Sequence, residues 1–228
     1  MGEWVRFSKG RNPLDVLNEV KNNNVWNLTW EEVDKVLDKN DIYFFKDNDD
    51  IKIMMYVSGM KVNGVFGYGE HARVEDEYLN DLKKELSLFK DNREYMEKVN
   101  NHILVSNVYK KFNNDEELNV DDLKVVYQVN KELIGFTSAL DQKLSEIKEE
   151  RIKEKDISEI FEVSEENIAF DMDDIEDTTE VMVGNLSVDE DNVDELSNIK
   201  YVIGYVYLDN KKLKQKLHIK SSWGFEEL

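Results

Sequence analysis

Cysteine is absent from this chain, and proline occurs only once. Without cysteine there can be no disulfide bridge, no thiol nucleophile and no cysteine metal site. No apolar run approaches the roughly 18 residues of a membrane-spanning helix, and the opening residues lack the apolar centre of a secretion signal. These absences predict a cytoplasmic protein that does not engage a membrane.

Basic residues are missing from one long stretch. Residues 162–195 hold 14 Asp or Glu and no Lys or Arg, within a chain of 50 acidic and 30 basic residues. Without that stretch, 36 acidic residues stand against 30 basic ones, an ordinary balance for a folded domain. The acidity is therefore local, whereas charge that only maintains solubility would be spread over the surface.

The first 90 residues have the pattern of a small α+β module. Asn12 followed by Pro13 is typical of a helix start, and Thr29 with Glu32 forms a capping-box signature. Alternating β-rich runs separated by turn residues predict a meander. We expect three strands, at residues 42–45, 51–57 and 65–68, and then a helix at residues 74–89.

A helical period follows over residues 91–161. Within it, apolar residues spaced by three or four form a heptad-like seam about three heptads long. The seam consists of Val126, Val129, Leu133, Phe136, Leu140, Leu144 and Ile147. It predicts one long helix, which either packs inside the chain or forms a dimer through residues 126–147.

Residues 162–228 contain a short repeat. The segments 168–175, 186–193 and 206–213 share one template: apolar, any, apolar, Asp, three mostly polar residues, apolar. Glycines recur 20 residues apart, at Gly184, Gly204 and Gly224. A period near 20 residues, with one short strand per repeat, is typical of a solenoid. The predicted fold class is thus α+β: an N-terminal meander module, a helical middle and a short C-terminal β-solenoid-like repeat.

Two resemblances accompany these patterns. The block LSNIKYVIGYVYLDNKKL, residues 196–213, resembles the repeats of leucine-rich and receptor-L-domain proteins, which implies stacked parallel strands over the last 60 or so residues. The segment at residues 29–57 resembles helix–hairpin modules of phage- and plasmid-borne proteins of unknown role, which implies a mobile-element origin.

Stacked turns would gather the carboxylates on one flank. Turns about 4.8 Å apart would place Asp171, Asp189 and Asp209 in one ladder, while duplex DNA carries about one charge per 1.7 Å of axis. We therefore predict a non-catalytic inhibitor, anti-CRISPR-like in action, that mimics nucleic acid. Its partner would be a protein with a basic nucleic-acid-binding surface, and it would not itself bind nucleic acid. The expected partner-binding residues are Asp171, Asp173, Asp174, Glu176, Asp177, Asp189, Glu190, Asp191, Asp194 and Glu195.

An alternative interpretation is internal compensation. The last repeat is basic, and it is expected to stack beside the acidic one, where cross-strand ion pairs would cancel the field. Its charged or titratable residues are Lys211, Lys212, Lys214, Lys216, His218 and Lys220. The protein would then be a scaffold or recognition module.

Three other functions have weaker signals. Residues 171–177 crowd carboxylates together but lack the glycine and terminal Glu of a calcium loop. Residues 156–168 have the rhythm of a helix-turn-helix, yet their acidic second helix would repel phosphate. Glu70 beside His71 is the only candidate acid–base pair. No catalytic residue, metal ligand or cofactor is assigned, because no phosphate-binding loop or dinucleotide fingerprint occurs.

Overall fold

A computed structural model describes residues 2–21, 28–67 and 74–227. The chain divides into two compact units. The first contains residues 1–106 and 134–141, and the second contains residues 107–133 and 142–228. The helical middle expected at residues 91–161 is thus shared between the two units.

The first unit is built on a four-stranded antiparallel sheet in the order β1-β2-β3-β4. Its strands are β1 (Glu3–Phe7), β2 (Asp41–Asp47), β3 (Asp50–Ser58) and β4 (Lys61–Gly67). The predicted meander corresponds to β2, β3 and β4. Asn48 and Asp49 both have positive φ, 49° and 70°, as the tight turn of a two-residue hairpin requires. The prediction missed β1, which pairs with β2 from Glu3 opposite Lys46 to Phe7 opposite Ile42.

Helices of the first unit cover both faces of this sheet. They are α1 (Pro13–Val20), α2 (Trp30–Leu37), α3 (Leu79–Leu86) after a 3₁₀ turn at Asp76–Tyr78, and the first part of α4 (Arg93–Asn113). The capping box at Thr29 and Glu32 is confirmed. One apolar cluster joins α1 and α2 to Phe44, and a second joins α3 and α4 to Phe45, because successive strand residues point to opposite faces.

The second unit begins with the rest of α4. Its further helices are α5 (Val120–Val126), α6 (Ala139–Glu149, whose first residues belong to the first unit) and α7 (Lys153–Phe161). The single long helix predicted across residues 126–147 is wrong. The chain leaves the helix at Tyr127, Gln128 has a φ of 55°, and α6 starts only at Ala139. Side chains of the seam, such as Val126 and Ile147, are buried within the chain.

Two parallel sheets complete the second unit. The first has the order β10-β8-β6-β5 and the second the order β11-β9-β7. The strands are β5 (Ile168–Ala169), β6 (Val181–Val183), β7 (Leu186–Val188), β8 (Tyr201–Ile203), β9 (Tyr205–Leu208), β10 (Lys220–Ser221) and β11 (Gly224–Glu227). Short 3₁₀ turns at Met172–Asp174, Glu195–Asn198 and Leu213–Gln215 return the chain from one turn to the next. Apolar residues of both sheets, including Leu186, Val202 and Val206, form one core cluster. The coarse α+β class is therefore confirmed, and both sheets are open, with an edge strand at each side.

The repeat template does not keep one phase along the chain. The copies starting at Leu186 and Val206 pair with each other in the second sheet. The copy at Ile168 lies in the first sheet, where Ile168 pairs with Val181 only 13 residues later. The expected ladder of three Asp residues is therefore wrong, since Asp171 is out of phase with the other two. The reason is that the first turn is too short to contain a second strand.

The phased glycines also need one correction. Gly184 and Gly204 occupy the corner between the two sheets, with φ of 143° and 156°. Gly224 does not occupy the equivalent corner position. It pairs with Tyr205 rather than Gly204, because the last turn is one residue shorter than the turn before it. At Gly204 the backbones come very close: a methyl group there would lie 2.7 Å from the carbonyl carbon of Gly184 and would overlap its oxygen.

Candidate acidic interaction surface

The first group of predicted site residues follows β5. Asp171 precedes the 3₁₀ turn at Met172–Asp174, and its Oδ1 accepts a hydrogen bond from the backbone N–H of Asp173 at 3.4 Å. The acidic side chains of this turn are exposed, namely Asp171, Asp173, Asp174, Glu176 and Asp177. The turn closes where the N–H of Glu176 donates to the hydroxyl of Thr179 at 2.9 Å. We call these five residues the first acidic turn.

The second acidic turn follows β7 and consists of Asp189, Glu190, Asp191, Asp194 and Glu195. Asp189 Oδ1 accepts hydrogen bonds from the N–H groups of Asp191 and Asn192, both at 2.9 Å. In return, Asn192 Oδ1 accepts a hydrogen bond from the N–H of Asp189 at 3.0 Å, and Asn192 Nδ2 donates one to the carbonyl of Ser187 at 3.1 Å. This reciprocal pair fixes the backbone, as Asp and Asn side chains do in turns. All these carboxylates are exposed except that of Asp189, which is half-buried.

Hydrogen bonds hold the successive turns side by side. Asn198 Nδ2 donates to the carbonyl of Asp177 at 2.7 Å, which links the second acidic turn to the first. The N–H of Asp209 donates to the carbonyl of Val188 at 3.1 Å, which links the basic last turn to the second. Carboxylates from residues 171–177 and 189–195 therefore lie on neighbouring turns, although they are distant along the chain.

Among the described residues, no cation forms an ion pair with these ten carboxylates. Within the part of the chain that the structure describes, none of them has a Lys, Arg or His nitrogen within 4.0 Å. Of the nearby bases, Lys200 pairs with Glu180, and Lys211 pairs with Glu227 at 2.8 Å. The ion pairs that internal compensation requires between the last turn and the second acidic turn do not form. The one polar side-chain contact between these turns is from Asn210 Nδ2 to Glu190 Oε1 at 3.5 Å.

A buried charged cluster in the second unit was not predicted. Asp156 is 3% exposed, and Arg151 holds it with two hydrogen bonds of 2.7 Å while the Tyr127 hydroxyl donates to it at 2.9 Å. Burial, together with the hydrogen bond to Asp156, raises the pKa of Tyr127. The hydrogen bonds that Arg151 donates to Asp156 likewise raise the pKa of Arg151. Arg151 and Asp156 are five residues apart, and α7 begins between them, so no helical pattern in the sequence marks this pair.

A charged recess of about 280 Å³ lies beside this cluster. Its lining mixes both signs, with Arg151 and Lys155 facing Glu117 and Glu159. Because Asp156 already satisfies Arg151, the cluster serves to fix the start of α7 against the preceding loop.

The helix-turn-helix rhythm of residues 156–168 does not correspond to such a motif, because α7 ends at Phe161 and only a 3₁₀ turn, Glu165–Asn167, follows. Glu70 and His71 lie outside the described residues. His102 is buried, and its Nε2 accepts a hydrogen bond from the N–H of Phe136 at 3.0 Å, which gives it a structural contact.

Over ranges 2–21, 28–67 and 74–227, no group of three His, Asp or Glu side chains is arranged to hold a metal ion. In those same ranges no helix combines the length and the apolar character needed to cross a bilayer.

Comparison with protein-family models, with curated proteins and with solved structures found no match for this chain. The acidic surface therefore has to be interpreted from its own geometry.

Proposed function

We propose that this protein is a non-catalytic protein-binding module whose two acidic turns imitate the phosphate backbone of a nucleic acid. The partner is a protein with a basic nucleic-acid-binding groove, which the acidic turns would occupy. The observation that supports this proposal is the set of ten carboxylates on two neighbouring turns with no cation within ion-pair distance among the described residues.

Rigidity of the two turns favours this function over a merely solvated surface. The Asp189–Asn192 pair and the Asn198–Asp177 link hold the backbone of the two turns in one arrangement before binding. A backbone fixed in advance loses little freedom on association. An aligned array of one sign also accelerates association and selects a partner of the opposite sign.

In this proposal, the parallel turns of residues 168–227 form a short, open, solenoid-like stack. Neighbouring parallel strands lie about 4.8 Å apart. Several carboxylates per turn at that spacing approach the charge density of a duplex, about one per 1.7 Å. Like charge would prevent the chain from binding nucleic acid itself.

A decoy of this kind suits a phage or another mobile element that must block a nucleic-acid-handling complex of its host. Such complexes work in the cytoplasm of a bacterial cell, so the proposal places the protein there. The absence of cysteine is compatible with a reducing compartment.

The test is displacement of a fluorescent duplex from a panel of basic DNA- and RNA-binding proteins. Mimicry predicts release of the duplex from at least one of them at about 50 mM salt and much weaker release at about 200 mM. The decisive variant neutralises two exposed charges on one turn and two on the other, with Asp173→Asn, Asp174→Asn, Glu190→Gln and Asp191→Asn. At up to about 0.5 kcal/mol for each exposed pair, its affinity should fall by roughly tenfold to thirtyfold.

A control variant removes the same number of exposed charges elsewhere, with Asp38→Asn, Glu116→Gln, Asp141→Asn and Glu149→Gln. It should keep the affinity of the unaltered chain. Equal losses in both variants would show that only net charge matters, and no salt dependence would refute mimicry. If the variant with Asp173, Asp174, Glu190 and Asp191 neutralised binds as the unaltered chain does, the scaffold interpretation is favoured.

A further inference from the structure

The outward face of the second parallel sheet carries three aromatic rings. Along β9 the burial alternates, with Val206 and Leu208 inside and Tyr205 and Tyr207 partly exposed. Trp223 lies at the neighbouring corner, and its ring is 5.6 Å from that of Tyr205 in an edge-to-face arrangement. The rings of Tyr205 and Tyr207 are 6.0 Å apart. We call these three residues the aromatic face.

Hydrogen bonds hold two of the rings in place. The Tyr205 hydroxyl donates to Glu132 at 3.0 Å, and Trp223 Nε1 donates to the carbonyl of Gln128 at 3.1 Å. Both partners come from the segment that joins α5 to α6. The aromatic face is therefore fixed by a second part of the same unit, so its rings are positioned before any ligand arrives.

Carboxylates border this face. Glu226 stands opposite Tyr207 in the register of β9 and β11, and it is exposed. Glu132, also exposed, borders Tyr205. At the far end of β9, Asp209 follows Leu208 directly, beside the second acidic turn. The aromatic face thus borders the second acidic turn, which follows the neighbouring strand β7.

Aromatic rings elsewhere in this unit already carry cations. Lys153 lies over Phe170 at 4.1 Å, Lys214 over Phe225 at 4.4 Å and Lys220 over Tyr201 at 5.6 Å. Over the rings of the aromatic face, by contrast, no Lys or Arg of the described residues is placed. Rings with carboxylates around them and no cation above them are suited to an external cation.

We propose that Tyr205, Tyr207 and Trp223 form a platform for arginine side chains of the basic partner. The proposal rests on the proposed function, since it concerns the same partner, and it adds the chemistry by which the partner is recognised. Arginine fits better than lysine because its planar guanidinium stacks on a ring while it donates to a neighbouring carboxylate. The acidic turns would attract any basic segment, and the aromatic face would select arginine-rich ones.

The experiment compares oligoarginine and oligolysine peptides of equal length by calorimetry at low salt. The unaltered chain should bind oligoarginine more tightly. Tyr207→Leu keeps an apolar side chain and removes the ring, so oligoarginine affinity should fall about twofold to fivefold, the value of one exposed cation–π contact, while oligolysine affinity changes less. Tyr207→Phe keeps the ring and should keep the preference. Ser187→Ala, which changes the residue opposite Tyr207 on β7, is the matched control.

Equal binding of the two peptides by the unaltered chain would overturn the platform, as would an arginine preference that Tyr207→Leu leaves undiminished. Binding of a neutral sugar chain such as maltoheptaose without an arginine preference, or self-association that Tyr207→Leu abolishes, would assign the face to another occupant and overturn it too. The variant with the four neutralised carboxylates separates the two proposals. If it binds both peptides as well as the unaltered chain, the acidic surface fails and the platform stands. If this variant no longer binds either peptide, and Tyr207→Leu binds both as tightly as the unaltered chain, then only the platform fails.

Discussion

Replacing Gly204 with alanine tests the close packing at the corner of the two parallel sheets. The added methyl group would lie 2.7 Å from the carbonyl carbon of Gly184 and 3.0 Å from Asn185 Oδ1. Ordinary contact needs about 3.4 Å or more, so two turns must move apart by several tenths of an ångström. The obstacle is backbone of the neighbouring turn, which cannot rotate away as a side chain would.

The expected cost has two parts. Insertion of a methyl group into packed structure costs about 1–3 kcal/mol, and the φ of 156° at Gly204 adds about 1 kcal/mol for a residue with a Cβ. We expect Gly204→Ala to lower the free energy of unfolding by about 3 kcal/mol. For a unit of this size, that corresponds to a fall of roughly 10 °C in Tm.

Gly224→Ala is the matched control for this substitution. Gly224 also has a positive φ, 125°, but a methyl group there would meet nothing within 4 Å. It should cost only the backbone part, about 1 kcal/mol. Thermal unfolding followed by far-ultraviolet circular dichroism measures both variants. If both variants lose equal stability, or if Gly204→Ala loses none, then the close stacking of Gly184 on Gly204 does not exist in solution.

Two further predictions concern buried polar groups. Asp156→Ala leaves Arg151 and the Tyr127 hydroxyl without their shared acceptor. The free energy of unfolding, measured in urea, should therefore fall by about 3 kcal/mol. A loss below about 1 kcal/mol would mean that water replaces the carboxylate. Burial, followed by the nearby charge of Glu32, raises the pKa of Tyr56 to about 12. The folded state therefore holds this proton more tightly than the unfolded state, and stability that is fully present below pH 10 should decline as the pH rises towards 12. Tyr56→Phe should make that decline shallower, since other tyrosines such as Tyr127 also have a raised pKa, and it should remove one late step from a tyrosinate absorbance titration. An unchanged titration would contradict the assigned burial.

Local patterns predicted much of the first unit. The capping box at Thr29 and Glu32 and the tight turn at Asn48 and Asp49 depend on residues within four positions of each other, so they can be recognised without the rest of the chain. The strand β1 was missed because five residues near the start have no turn partner of their own. Their pairing with β2 bridges about 40 residues, and packing against the sheet decides it.

In the candidate site, the sequence predicted which residues are acidic but not how they are phased. The exposure of the carboxylates followed from their type and position after short strands. Their mutual placement depended on the length of each turn, which is 13 residues for the first and 20 for the next. A template of eight residues cannot reveal whether a turn contains one strand or two, so Asp171 was assigned to the wrong ladder.

The sequence by itself determined the α+β class, the concentration of the excess negative charge in residues 162–195 and the alternation that puts Val206 and Leu208 inside. These properties follow from residue type and from hydrogen bonds between near neighbours. Only the tertiary structure decided that the helix breaks at Tyr127, that Asp156 is held by Arg151 and that Tyr205, Tyr207 and Trp223 share one face. Each of those depends on groups far apart in the chain, whose approach is governed by the packing of whole elements and by the lengths of the turns between them.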